Sequence, residues 1–173
     1  MPQKELKKHL MQLKKEDLIK EIEKLYKKFK PVQEYYSMEL SRNTGNVLEK
    51  YKTQLCKEYF PERGYGRARA SVARNIISEF TKISVFDIDL IELMLYRVEL
   101  CVEFTESYGD ISESFYTSTE NAFDRVCKLI VKNKHQDQFI ERCTTLVNNT
   151  RNCGWGFYDT LSDIFYGYFK QKL

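Results

Sequence analysis

The sequence is poor in the two residues that most often interrupt helices. Its 173 residues include seven glycines and three prolines. Proline removes a helical hydrogen bond and glycine loses the most backbone entropy on folding, so their scarcity favours long helices. We expect an all-α chain. No internal repeat is present that would predict a solenoid.

A long apolar run is also missing. No eighteen consecutive apolar residues occur, and the opening MPQKELKKHL is charged where a signal peptide needs an apolar segment. We therefore expect a cytoplasmic protein with no membrane partner.

Cysteine and histidine are too few and too scattered for the common metal sites. The five cysteines include no CxxC pair, and neither of the two histidines follows a glutamate by three residues. Zinc sites and carboxylate-bridged di-iron sites need such spacings, so the sequence predicts no metal and no cofactor. We expect the thiols to be reduced and buried, without disulfides.

Catalytic motifs are missing as well. The GxSxG, HExxH and P-loop patterns do not occur. His135 lies in KNKHQD, a polar segment typical of a solvated turn. We assign no catalytic residue, and an enzyme is the least favoured class of protein.

Helical periodicity, by contrast, extends over almost the whole sequence. Apolar residues recur at steps of three and four, which is typical of amphipathic helices in a bundle. We expect about seven helices in one domain of residues 1–173, with basic N-terminal helices in 1–41 and the main bundle in 42–173. Residues 84–108 and 112–133, joined at Gly109, should form a central antiparallel helix hairpin.

The charges are distributed in blocks, although the net charge is only +3. Residues 1–30 contain ten lysines and five acidic residues, and residues 42–82 contain nine basic and four acidic residues. Residues 84–113 contain eight acidic residues against Arg97 alone. Opposite charges attract, so we expect ion pairs between these blocks.

The acidic block forms a stripe along the predicted central helix. Helical spacing places Glu92, Glu99, Glu103 and Glu106 on one face. The stripe either binds a metal ion or pairs internally with lysines and arginines, and the missing histidine ligands favour internal pairing. Arg97 lies in the apolar arc of the same helix, where it requires a carboxylate partner or a path to water.

A second charged segment, RGYGRARASVAR, leads into a helix. In one interpretation Arg63, Arg67 and Arg74 bind an anion, with Arg67 and Arg74 on one helix face and the glycine turn exposing backbone N–H groups. In the other, at least two of these arginines and Arg69 meet the acidic block of the next helix. The short connection between the two helices favours the second interpretation.

Aromatic residues are concentrated at the C-terminus, where seven of the fifteen residues 155–169 are aromatic. GWGF is either a stacking platform or a tight corner where Trp155 closes the core, and the corner is favoured. One buried face cannot hold all these rings, so we expect a second subunit or a partner to cover some of them. The interface candidates are Trp155, Tyr158, Tyr166 and Phe169.

Four segments together resemble a known family. They are ELKKHLMQLKKEDLIKEIEKLYKKFKPVQEYY, YFPERGYGRARASVARNIISEFTKI, YRVELCVEFTESYGDISESFY and GWGFYDTLSDIFYGYF. In this order they resemble a family of small bacterial proteins, common in Bacteroidetes, that is known only as a domain of unknown function. The resemblance implies a stand-alone helical bacterial protein and brings no activity. LKKHLMQLKKEDLIKEI also distantly resembles the helix pair of SAP-type DNA-binding motifs.

Two functions remain open from the sequence. The favoured one is a non-enzymatic protein-interaction or structural module that binds an unknown protein or itself, for example as a homodimer. The alternative is nucleic-acid or phosphate-ligand binding through the basic N-terminal half. Its candidate residues are Lys7, Lys8, Lys14, Lys15, Arg63, Arg67 and Arg74.

Overall fold

A computed structural model of the chain describes residues 2–41 and 44–169. Within these residues the regular structure is helical with no strand, which confirms the all-α prediction. A 3-10 turn, Thr150–Asn152, follows α8. The α-helices are α1 (Gln3–Gln12), α2 (Lys15–Lys28), α3 (Lys30–Ser41), α4 (Gly45–Tyr59), α5 (Ala70–Ile83), α6 (Asp87–Tyr108), α7 (Glu113–Lys132), α8 (Gln136–Asn149) and α9 (Phe157–Phe169).

The described residues thus contain nine α-helices, and the expected number of about seven is too low. Short breaks divide the N-terminal region into three helices. Leu13 and Lys14 have extended backbone between α1 and α2, and Phe29 has extended backbone between α2 and α3. Pro31 lies in the first turn of α3, where a missing N–H group costs no helical hydrogen bond.

The chain divides into two compact units, Met1–Asn43 and Thr44–Leu173. In the N-terminal unit α2 packs against α3. The side chain of Gln33 donates a hydrogen bond to the carbonyl of Tyr26 at 2.8 Å, and the rings of Tyr26 and Tyr36 are in contact. No residue of α1 or α2 is buried. The prediction of one domain over residues 1–173 stays a prediction.

The C-terminal unit is organised around α6 and α7, the predicted hairpin. The two helices pack against each other across the link at Gly109, which has the left-handed φ of +81° that glycine adopts readily. Ser112 caps α7 by accepting a hydrogen bond from the N–H of Phe115. The first helix of the hairpin, α6, begins at Asp87, three residues later than expected.

The remaining helices of this unit enclose the hairpin. α4 and α5 pack on α6, and α9 packs on α7 and α8. Large aromatic side chains fill the core, among them the fully buried Tyr59, Phe80, Phe123 and Phe157. Among the described residues, no helix has both the length and the hydropathy that crossing a membrane requires.

Candidate functional site

The glycine-rich loop between α4 and α5 packs tightly against the end of α4. A Cβ atom at Gly66 would lie 1.7 Å from the carbonyl oxygen of Tyr59, so only glycine fits there. The backbone N–H groups of Arg67 and Ala68 donate to the carbonyl of Glu58 at 3.0 and 3.2 Å. These two amides satisfy a carbonyl group at the C-terminal end of α4, so they are not free to bind a phosphate.

Arg69 also binds Glu58, through the carboxylate of that residue. Its guanidinium donates two hydrogen bonds of 2.8 Å to the two carboxylate oxygens of Glu58, and its backbone N–H donates a third. The hydrogen bond from Arg69 holds the pKa of Glu58 below its ordinary value. The expectation that Arg69 meets the acidic block is therefore wrong, because its partner lies on the preceding helix.

The three arginines proposed as an anion site do not lie together on one helix face. Arg67 precedes α5, which begins at Ala70, so it cannot share a face of that helix with Arg74. Arg63, Arg67 and Arg74 are exposed and form no ion pair with a described residue. The expected pairing of these arginines with the acidic block is thus wrong as well. Arg74 alone of the three lines a groove of the C-terminal unit.

Half of the acidic stripe is paired internally, as the sequence suggested, but with cations that sequence reasoning did not identify. Arg142 of α8 binds both Glu92 and Glu99. Lys52 of α4 donates to the second carboxylate oxygen of Glu92 at 2.7 Å. Burial raises the pKa of Glu92, but the hydrogen bonds and charges of Lys52 and Arg142 outweigh burial, and the pKa lies below its ordinary value.

The other half of the stripe is exposed to solvent. Glu103 and Glu106 line an open groove of about 410 Å³ beside Arg142. The carboxylate of Asp110 accepts hydrogen bonds from the hydroxyl of Tyr116 and the backbone N–H of Gly154. Of the four glutamates of the stripe, only Glu92 and Glu99 are therefore ion-paired with described residues. No group of three or more metal-ligating residues occurs in the described part of the chain.

Arg97 differs from the other partly or fully buried cations of the C-terminal unit. It is 5% exposed, and its Nη2 donates to the hydroxyl of Ser118 at 3.1 Å. Its Nε–H has no acceptor among the described residues. Of the two alternatives that the sequence left open for Arg97, the carboxylate partner is absent there, since no described carboxylate lies within ion-pair distance.

The C-terminal aromatic residues separate into core and surface. Phe157 is fully buried and closes the core, whereas Trp155 is 60% exposed, so the expected role of Trp155 in the core is wrong. Phe169 is buried against Phe165, contrary to its expected place on an interface. Tyr158 is partly buried beneath the guanidinium of Arg151. Trp155 and Tyr166 remain at the surface.

The five cysteines are free, as expected. Cys101, Cys127 and Cys143 are buried, and Cys56 and Cys153 are partly buried. Burial raises the pKa of Cys101, which keeps this thiol protonated and unreactive.

The N-terminal unit has an apolar surface that its own helices leave uncovered. An open groove of about 710 Å³, here called the N-terminal groove, lies along α1 and the start of α2. Met11, at 77% exposure, is the most accessible of its apolar side chains. The groove is lined by Gln3, Lys4, Leu6, Lys7, Leu10, Met11 and Leu18.

Comparisons with known proteins identify a family and no activity. No curated protein and no solved structure matches the chain. One family model, described as a family of unknown function (DUF6155), matches residues 1–168. The bacterial origin implied by the resemblance stays a prediction. Because the match extends over nearly the whole sequence, the chain belongs to the DUF6155 family.

Proposed function

We propose that this chain is a non-enzymatic protein-interaction module whose N-terminal groove binds an acidic amphipathic helix of a partner protein. One observation carries the proposal. The helices α1 and α2 have the apolar spacing of packed helices, yet neither contains a buried residue. An apolar helix face left open to water is typical of a surface that binds a partner.

The lining of the N-terminal groove specifies the kind of partner. Its apolar side chains, among them Leu6, Leu10 and Met11, suit the apolar face of a helix. Lys4 and Lys7 lie at the same groove, and the described residues of its lining include no carboxylate. A partner helix with acidic residues beside its apolar face would match both features.

The positive charge and the apolar lining of the N-terminal groove favour an acidic helix over a second copy of the chain or a nucleic acid. A second copy would bring another N-terminal region with ten lysines against five acidic residues, and like charges would oppose association. Nucleic acid would use the lysines but would leave the apolar side chains of the groove exposed, because phosphates supply no apolar surface. An acidic amphipathic helix would cover the apolar side chains and place its carboxylates beside the lysines.

The full-length chain is tested with a labelled synthetic peptide of leucine and glutamate, spaced so that one helical face is apolar and the other acidic. A scrambled peptide of the same composition controls for charge, and labelled DNA and RNA test the nucleic-acid alternative. Fluorescence anisotropy should show saturable binding of the amphipathic peptide and much weaker binding of the scrambled one.

Two neighbouring variants provide the matched pair. Met11→Glu places a charge in the groove, whereas Gln12→Glu places the same charge on an exposed residue outside its lining. We expect Met11→Glu to weaken peptide binding by at least about tenfold, since a buried methionine contributes at least that much. We expect Gln12→Glu to change it by no more than about twofold.

Three results would overturn the proposal. Equal binding of both peptides, or an equal effect of both variants, would show attraction by charge alone. Binding of DNA or RNA, but not of the amphipathic peptide, would move the function to nucleic acid. A dimer in sedimentation that Met11→Glu dissociates would make a second copy the occupant.

A further inference from the structure

A second surface feature, in the C-terminal unit, is independent of the N-terminal groove. Helices α5, α6 and α7 enclose a groove of about 520 Å³, here called the cationic groove. Four cationic side chains line it, two from α5 and one from each of the other helices: Arg74, Lys82, Arg97 and Arg125. No aspartate or glutamate is among the described residues of its lining.

The unpaired charge of this groove contrasts with the cations that bind the acidic residues of the C-terminal unit. Arg142, Lys52 and Arg69 each bind one or two carboxylates of a neighbouring helix. In the cationic groove Arg74, Arg97 and Arg125 form no ion pair with a described residue. Like charges held close together repel each other, so a groove of this composition is stabilised when an anion enters it.

Arg97 adds a buried positive charge to the lining of the groove. The residue is 5% exposed, its Nη2 donates to the hydroxyl of Ser118, and its side chain also hydrogen-bonds with Tyr59. The Nε–H has no acceptor among the described residues, although the side chain lines the groove. Buried arginines are normally paired, and no described carboxylate neutralises this one, so its charge would attract an anion in the groove.

We propose that the cationic groove binds the phosphate group of a small phosphorylated molecule. Three guanidinium groups and one ammonium group oppose the double negative charge of a phosphate monoester. Ser78 and Thr81 place hydroxyl groups at the same groove. The volume lies in the range of small-molecule sites.

The groove also contains apolar surface for the rest of such a molecule. Ile77 and Met94 contribute side chains to the lining beside the arginines, and Ala122 contributes a methyl group. A free inorganic ion would leave this surface uncovered. An organic group attached to the phosphate would cover it, so we expect an organic phosphate to bind more tightly than inorganic phosphate.

The test is calorimetric titration of the full-length chain with inorganic phosphate, a nucleoside monophosphate and a sugar phosphate. Sodium chloride keeps the ionic strength constant, so that general screening does not differ between samples. We expect saturable binding of inorganic phosphate in the millimolar range, and tighter binding of at least one organic phosphate. The melting temperature should rise with the concentration of each bound ligand.

Arg74→Gln and Arg125→Gln test the groove without touching the buried Arg97. Both residues are exposed, so both variants should fold. We expect each to weaken phosphate binding by about tenfold, the usual effect of losing one charge-assisted hydrogen bond. Arg63→Gln is the matched control, because Arg63 is exposed, carries the same charge and lies outside the groove. It should change the affinity by no more than about twofold.

Arg97→Lys keeps the charge but removes most of the guanidinium donors. Because Arg97 acts on the groove through its charge, we expect this variant to bind phosphate within about twofold of the wild type, at a melting temperature that shows a folded chain. The proposal is overturned if inorganic phosphate gives no saturable heat or melting shift. It is also overturned if Arg63→Gln weakens binding as much as Arg74→Gln, or if only oligonucleotides bind.

Discussion

Arg142 of α8 binds both carboxylate oxygens of Glu99 on α6, 43 residues away in the sequence, with two nitrogens of one guanidinium. Its third nitrogen binds Glu92, which lies seven residues earlier on the same face of α6, and Glu92 in turn accepts a hydrogen bond from Lys52 of α4. These hydrogen bonds link the acidic stripe of α6 to α8 and to α4. A bidentate pair such as that of Arg142 and Glu99 fixes the relative position of two helices better than a single hydrogen bond does.

Replacing Arg142 with methionine should lower the free energy of unfolding by about 2 kcal/mol, a value between those of exposed and of fully buried ion pairs. The reason is that Glu99 would lose its only described ionic partner while remaining partly buried. Urea unfolding followed by circular dichroism measures the change. Lys128→Met, at an exposed position of α7, should change the free energy by less than about 0.5 kcal/mol. Equal effects of the two variants would contradict the structural role of Arg142.

Stability should decrease in acid through Glu92. Its pKa in the folded protein lies below the ordinary value of 4.5, so its contribution is fully present above that value and is lost as the pH falls through the folded pKa. Unfolding in urea from neutral pH down to about pH 3 measures this dependence. Glu92→Gln should be less stable than the wild type at neutral pH and should lose less stability in acid. Parallel pH profiles for the two proteins would be inconsistent with a lowered pKa.

Gly66→Ala should destabilise the fold by about 2 kcal/mol or more, because the new Cβ atom would overlap the backbone carbonyl of Tyr59. The loop or the end of α4 would have to move. Gly167→Ala is the matched control, since a Cβ atom at this helical position meets open space. Thermal unfolding should show the control to be more stable than the wild type by about 0.5–1 kcal/mol. An unchanged melting temperature for Gly66→Ala would contradict the close approach.

Lys134→Gly should stabilise the protein by about 0.5–1 kcal/mol, because Lys134 has a left-handed φ of +61° that costs an L-residue more than glycine. The hydrogen bonds from His135 to Ile130 and from Lys134 to Val131 form the motif that commonly ends a helix on glycine. Lys128→Gly, inside α7, should instead destabilise by about 1 kcal/mol. Urea unfolding of both variants tests the contrast, and a loss of stability in Lys134→Gly would contradict it.

Sequence reasoning located part of each candidate site. Lys7 in the N-terminal groove and Arg74 in the cationic groove were both candidates for anion binding from their charge and helical context. Lys82, Arg97 and Arg125 were not grouped with Arg74, because they lie far apart in the sequence and no spacing rule connects them. Arg97 was recognised as a cation within an apolar arc that needs a carboxylate partner or a path to water, and among the described residues it hydrogen-bonds with hydroxyl groups, including that of Ser118.

The arginine-rich loop shows why pairing was the weakest part of the sequence analysis. Opposite charge blocks correctly indicated internal ion pairs, but proximity in the sequence suggested the wrong partners. Arg69 reaches back to Glu58, whereas the acidic stripe binds Arg142 from a helix much later in the chain. Coulomb attraction depends on distance in space, and the packing of α8 beside α6 determines that distance.

The sequence by itself determined the helical class, the central hairpin, the free thiols and the amphipathic character of the N-terminal helices. These properties follow from local causes, namely residue spacing at the helical period and the conformational limits of glycine and proline. Only the tertiary structure decided which cations neutralise the stripe, that Phe157 rather than Trp155 fills the core, and that four cations share one groove. Those outcomes depend on how whole helices pack, and packing brings together side chains whose separation along the chain carries no signal.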